Sequence, residues 1–128
     1  MPPLDQPQTT AWLRQVAQTY AKRIGRINYI FVDDEEILRI NREYIGHDYY
    51  TDHIGFDYSA HDILSADIYI SLDTVRSNAA LFDKTFDDEL HRVIVHGLLH
   101  LCGLKDKTPE ERTEMESAED KALASLDK

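Results

Sequence analysis

Two histidines four residues apart, His96 and His100, stand in an otherwise apolar stretch of this chain. On a helix that spacing projects both imidazoles from one face, about one turn apart. Two rings so placed can grip one metal ion. Gly103 allows a sharp turn after the helix. The turn could bring Asp106 back towards the rings as a third ligand. A carboxylate is an acceptable zinc ligand beside two histidines. A histidine pair at this spacing also arises by chance on ordinary helices. Here the helix is almost wholly apolar, and polar rings buried without partners are costly. The added Gly-x-x-Asp favours the metal reading.

Written out, the pattern is H-x-x-x-H-x-x-G-x-x-D. It resembles in spacing the zinc-protease signature H-E-x-x-H-x-x-G-x-x-H. Gly97 stands where a protease has its water-activating glutamate, which argues against peptide hydrolysis. Asp106 for a third histidine leaves the site one charge unit less positive. A bound water should then be harder to ionise, with a shifted metal preference.

The elements that must position these residues read as follows. Residues 1–8 form a short extended lead-in. Trp12, Leu13, Val16, Tyr20 and Ile24 recur at helical steps, predicting a helix from Thr9 to a stop at Gly25. Arg26–Val32 is a strand, apolar on both alternations at its end, as when both faces are covered. Asp33–Tyr44 is a helix whose acids Asp33–Glu36 suit the positive end of its dipole, and residues 45–52 are a loop. His53–Tyr58 and Ser65–Ser71 alternate and form an antiparallel hairpin across the turn Ser59–Asp62. The runs Ile54/Phe56/Tyr58 and Ala66/Ile68/Ile70 are their apolar sides. Helices follow over Leu72–Phe82, Thr85–Cys102 and Thr108–Leu126, the last two opened by capping-box signals.

This order implies one α+β domain over residues 1–128. Roughly three or four strands form a small mixed sheet packed with about five helices. The arrangement is zincin-like, with a central buried helix carrying the ligands.

Charge narrows the function. The 128 residues hold 24 acids and 14 bases, a net charge of −10. A protein that coats duplex DNA by releasing counterions should be basic, so DNA is not expected as a partner. The tail from Thr108 carries seven acids and three bases, whereas Arg42, Arg92, Lys105 and Lys107 are candidates to border the site. A small basic groove centred on a metal is compatible with that distribution. No apolar run approaches the roughly 18–20 residues of a membrane span, and the N-terminus lacks a secretory pattern. The single cysteine, Cys102, forms no internal disulfide and reads as a buried thiol. A cytoplasmic protein is the expectation.

His96-Gly-Leu-Leu-His-Leu-Cys-Gly103 resembles the motif H-G-x-L-H-L-x-G-Y-D-H of the YbeY family, bacterial metal-dependent endoribonucleases of rRNA maturation. Asn41–Tyr44 and Thr51–Phe56 resemble its N-x-x-Y-R and T-D-V-L-S-F blocks, and Ala66–Ile70 its G-D-I-x-I strand. Glu89, Met115 and Glu119 also fall in place. The resemblance implies a mixed sheet of about four strands and one zinc ion held by His96, His100 and Asp106. It further implies hydrolysis of single-stranded RNA, in maturation of the 16S rRNA 3′ end and ribosome quality control, with the ribosome or its small subunit as partner. Its arginine after the N-x-x-Y element falls at Ile45 here, and Arg42 could substitute for it. Arg42, Arg92, Lys105 and Lys107 are the candidate phosphate contacts. No side chain stands out as a general base, so metal-bound water is the expected nucleophile. A rival reading is a ribosome-assembly factor with a structural metal and little cleavage. A metallopeptidase is a third.

The remaining polar residues have plainer readings. His53 reads as a surface or hairpin histidine, in preference to one edging the site. His47, His61 and His91 read as ordinary polar residues; His91 is about 140° round the helix from His96. Arg92 is expected to pair with Asp88 one turn back. Thr51 and Asp52 should order the loop into the strand, and Asp33–Glu36 should cap a helix.

Overall fold

The computed structural model describes residues 6–45 and 53–126, without the side chains of Gln6, Tyr44 and Ile45. The readings made for His47, Thr51 and Asp52 therefore lie outside the described residues.

Five α-helices and three strands are described: α1 (Gln6–Thr19), β1 (Arg23–Val32), α2 (Asp34–Ile40), β2 (His53–Asp57), β3 (Ile63–Ser71), α3 (Leu72–Leu81), α4 (Phe86–Leu101) and α5 (Pro109–Ala124). The mixed α+β character is as expected. A single π-helical turn, Asn41–Ile45, prolongs α2 where a continuous α-helix was expected. The sheet order is β1-β3-β2, with β3 parallel to β1 and antiparallel to β2. Three strands are thus paired among the described residues, one fewer than the resemblance implies. No helix among them is long and apolar enough to cross a membrane.

Side-chain caps set several helix starts. Asp33, Thr85 and Thr108 accept from the backbone amides of Glu36, Asp88 and Glu111. Glu111 returns the bond to the Thr108 amide, completing a capping box. The acid run acts here as the charge pattern suggests. Asp34 further accepts from Ser71 Oγ at 2.5 Å and Thr74 Oγ1 at 2.7 Å, tying the start of α2 to that of α3.

Helix α1 departs from expectation at both ends. It begins at Gln6, so residues 6–8 are helical and not an extended lead-in. It ends at Thr19, six residues before Gly25. Ala21 takes a left-handed φ of 59°, while Lys22 N donates to Ala17 O and Ala21 N to Gln18 O. This is a Schellman cap with alanine in the place usually taken by glycine, which is why composition does not reveal it. Gly25 lies instead in β1, beside a register shift between Ile24 and Ile27. A Cβ there would meet Ile63 Cγ2 at 2.8 Å and Ser65 Oγ at 2.9 Å. Its glycine serves close strand approach and a bulge, not a helix stop.

The sheet is covered on both faces. Leu64, Ala66, Ile68 and Ile70 of β3 join the large core with α1, α4 and α5. Ile54 of β2 packs with Ile37 and Ile40 of α2, and Phe56 and Tyr69 lie against that smaller cluster. Helix α4 is buried nearly all round, from Glu89 through Leu99. Trp12 Nε1 donates to Ala122 O at 2.8 Å, fastening α1 to α5.

The hairpin forms, but its two apolar sides do not share a face. Ile54 pairs with Tyr69, Gly55 with Ile68 and His53 with Ile70. Directly paired residues lie on the same face. The apolar side of β2 therefore backs α2, while that of β3 backs α4. His53, Gly55 and Asp57 consequently look towards α4.

The position of the first turn can be tested by sign. Ala21→Gly relieves about 1–2 kcal/mol of left-handed strain against about 0.4–1 kcal/mol of added unfolded-state entropy. We expect a net gain of about 0.5–1 kcal/mol in urea denaturation. A helix continuing to Ile24 would instead lose about 1 kcal/mol on the same change.

Candidate metal centre

His96 and His100 project from the last two turns of α4. Their Nε2 atoms lie 3.0 Å apart, and each is 3.3 Å from Asp106 Oδ2. Gly103, at φ 106°, closes α4 with Leu104 N donating to Leu99 O and Gly103 N to His100 O. That turn carries Asp106 back to the rings. The three residues singled out from spacing are therefore brought together.

The other ring nitrogens are already engaged. His96 Nδ1 lies 2.5 Å from Glu119 Oε2, and His100 Nδ1 is 3.1 Å from Leu104 O. Both partners are acceptors, so each Nδ1 carries the proton and each Nε2 presents a lone pair. Two neutral rings so oriented repel at that distance, which is relieved by a cation between the nitrogens or by a proton on one of them, making an Nε2–H···Nε2 hydrogen bond. Ligands around tetrahedral zinc, at roughly 2.0–2.1 Å from it, stand about 3.3–3.4 Å apart. The observed spacings of 3.0 and 3.3 Å suit that polyhedron.

Glu119 orients this centre, a role the helical pattern alone did not disclose. It is 5% exposed, and its second oxygen accepts from Arg92 NH1 at 2.7 Å. Arg92 NH2 binds Asp120 Oδ1 at 2.7 Å. The arginine thus reaches across to α5, where i−4 spacing pointed to Asp88 on its own helix. Burial opposes its charge most, yet the hydrogen bonds of Asp120 and Glu119 carry its pKa above the ordinary range. Its charge is matched inside the fold, which argues against a phosphate contact. A carboxylate held this way behind a metal-directed histidine is a usual outer support.

His53 is the main surprise. Its ring meets that of His96 edge-on at 5.1 Å and stacks with that of His100 at 6.1 Å. Ligand atoms of His53, His96 and His100 all lie within 4.8 Å of one another. The plainer hairpin reading gives way because β2–β3 register turns His53 to α4. Two signals could have indicated this: Ile54 and Phe56 occupy the opposite alternation, and β1 is apolar on both faces.

A cleft of about 250 Å³ runs from His53 and His100 past Gly55, Asp57 and Gly97. A Cβ at Gly97 would come within 3.1 Å of Ile68 Cδ1. Close helix–sheet approach accounts for this glycine, and a protease-type glutamate would need Ile68 to yield.

The other expectations divide. Lys105 and Lys107 are exposed beside Asp106, and Arg42 is exposed on the π-turn. His91 is 8% exposed, with Nδ1 2.7 Å from Asp87 O and its ring edge-on to Trp12, so it belongs to the interior. Cys102 is half-buried, and burial pushes its thiol up to about 11 despite Lys22. It stays a neutral thiol, as its helix face suggests.

The chain is similar to known proteins over nearly its whole length. The family Endoribonuclease YbeY matches residues 3–127. An Endoribonuclease YbeY of Bacteroides thetaiotaomicron is 59% identical over 124 residues, 97% of this chain and 90% of that protein. One from Porphyromonas gingivalis is 54% identical over 115 residues, covering 90% and 76%. The solution structure of a Thermotoga maritima protein superposes with a TM-score of 0.69 at 27% identity, over 94% of this chain and 79% of that one.

Two measurements test this network. Glu119→Ala leaves a buried imidazole N–H and a guanidinium short of an acceptor, and should cost about 1–3 kcal/mol in denaturant unfolding. Burial, then the neighbouring His96, hold His100 below the ordinary histidine range, while Asp106 opposes them. A depressed folded-state pKa gives stability that is present above about pH 6.5 and lost as pH falls. Chelator-treated protein should lose stability from about pH 6.5 downward, and His100→Asn should flatten that slope.

Proposed function

The chain belongs to the YbeY family of endoribonucleases, and from that premise we propose that it hydrolyses single-stranded RNA at a metal centre held by His96, His100 and Asp106. It is an RNA-cleaving hydrolase by family. The observation that supports the metal most strongly is the pair of Nε2 atoms 3.0 Å apart, each ring already donating through Nδ1.

A divalent ion there, zinc by the chemistry of the donors, would polarise a phosphoryl oxygen and make a bound water more acidic. The protein's own part is orientation. Glu119 fixes the His96 ring and its tautomer, and Leu104 O does the same for His100. Exposed Gly55 leaves the β2 side of the cleft low, so an extended sugar–phosphate chain can approach. Lys105 and Lys107, exposed and next to Asp106 in sequence, would offset phosphate charge there. The substrate is ribosomal RNA, in the 3′ region of the 16S species. The ribosome or its small subunit is the partner, the setting is cytoplasmic, and ribosome quality control is the wider role.

A second reading gains from His53. A fourth donor near the pair suits a closed, structural metal in a ribosome-assembly factor, which would hold its ion without cutting RNA.

Metal analysis coupled to cleavage of a defined single-stranded RNA separates these. His96→Ala and His100→Ala should each abolish bound metal and cleavage together, and a chelator should reproduce the loss in the parent protein. Cleavage persisting without metal would overturn the proposal. Stoichiometric metal with no cleavage would favour the assembly factor. Asp106→His should make the site more positive and move the acidic limb of the rate profile to lower pH.

A further inference from the structure

We propose that His53 is a fourth protein ligand of the centre, completing a set of three imidazoles and one carboxylate. This rests on the metal centre of His96, His100 and Asp106 proposed above and bears on its second reading: with His53 in the fourth tetrahedral position, water or substrate would have to displace a protein ligand.

His53 is the first residue of β2, and its pairing with Ile70 turns it to the α4 side of the sheet. Its neighbour Ile54, on the other face, is 5% exposed in the smaller core, which pins that register. A slip of one residue would bury His53 under α2 and expose Ile54. The side chain is thus delivered to the histidine pair by the same constraint that fills the core.

The rings then converge. His53 lies edge-on to His96 at 5.1 Å and stacked on His100 at 6.1 Å, with ligand atoms of all three inside 4.8 Å. A ring serving only to cover apolar surface could be phenylalanine or valine. Three imidazoles whose ligand atoms lie within 4.8 Å of one another instead form a group able to hold a metal ion. Tetrahedral ligands sit about 3.3–3.4 Å apart, so a modest swing of the His53 side chain would close the set. Asp106 comes from the segment after α4, and His53 from the sheet. Together they add two donors from separate elements to the pair on the helix.

Cobalt(II) substitution tests this without relying on activity. The parent protein loaded with one equivalent of cobalt should show the intense visible bands of a four-coordinate ion. His53→Val, which suits a strand, should fold normally by circular dichroism. It should weaken cobalt and zinc affinity in chelator competition by at least about tenfold, since loss of even an outer-shell partner costs 10–100-fold. Its visible bands should also change. His53→Cys should gain a near-ultraviolet sulfur-to-cobalt charge-transfer band absent from the parent, which already contains Cys102. A parent that binds cobalt one to one, with affinity and bands unaltered in His53→Val and no new band in His53→Cys, would overturn the role of His53 and leave the three-ligand centre standing. A folded parent that binds neither ion would overturn both.

Discussion

The close approach of α4 to β3 at Gly97 is the contact on which the site depends. A single added Cβ there would reach within 3.1 Å of Ile68 Cδ1. Interiors are packed too tightly to absorb such an atom freely. With glycine, the helix settles low on the sheet. His96, immediately before this contact, and His100, three residues after it, then reach the edge where β2 runs. A side chain there would ask Ile68 to give by a few tenths of an ångström, or the helix to ride that much higher over the sheet. The site is therefore built by packing before any ligand is considered. The Gly103 turn and the β2 register each bring one further side chain to a place that this contact has already set.

Helix α5 supplies the second constraint. Its Glu119 is buried with both oxygens used, one on His96 and one on Arg92. A carboxylate so placed would be costly without these partners. Together they form a chain from Asp120 through Arg92 and Glu119 to the His96 ring. Trp12 ties α1 to Ala122, one turn farther along the same helix. Anything that shifts α5 must therefore disturb both the core and the tautomer of His96. Site geometry and stability are coupled through one helix.

Features set by local chemistry were legible in the sequence. Asp33, Thr85 and Thr108 cap helices because a side-chain oxygen can reach an amide three residues on. The His96–His100 pair and the Gly103 turn follow from helix geometry and from glycine's tolerance of positive φ. What escaped depends on distant partners. Ala21 ends α1 in a conformation that its residue type does not advertise. Gly25 resembles a helix stop until Ile63 is seen lying against it. Arg92 has an acid one turn back, but two acids on α5 hold its terminal nitrogens. His53 is the instructive case: alternation identifies the polar side of β2, while only the order of the sheet shows that this side is covered too.

The net charge of −10 takes on a different meaning once these contacts are known. Several acids have partners within the chain, most of them at the surface. Glu119 and Asp120 answer Arg92, Glu36 and Glu43 answer Arg39, and Asp34 takes hydroxyls from Ser71 and Thr74. Asp57 lines the cleft, and Asp106 lies beside the histidine pair, flanked in sequence by two exposed lysines. An incoming phosphodiester would meet repulsion from the surface as a whole and attraction only where a cation sits. That arrangement disfavours indiscriminate binding, since long-range steering is weak or adverse. Affinity for RNA must then come from contacts made locally rather than from bulk attraction. The acidic balance thus argues against capture of nucleic acid by bulk charge alone.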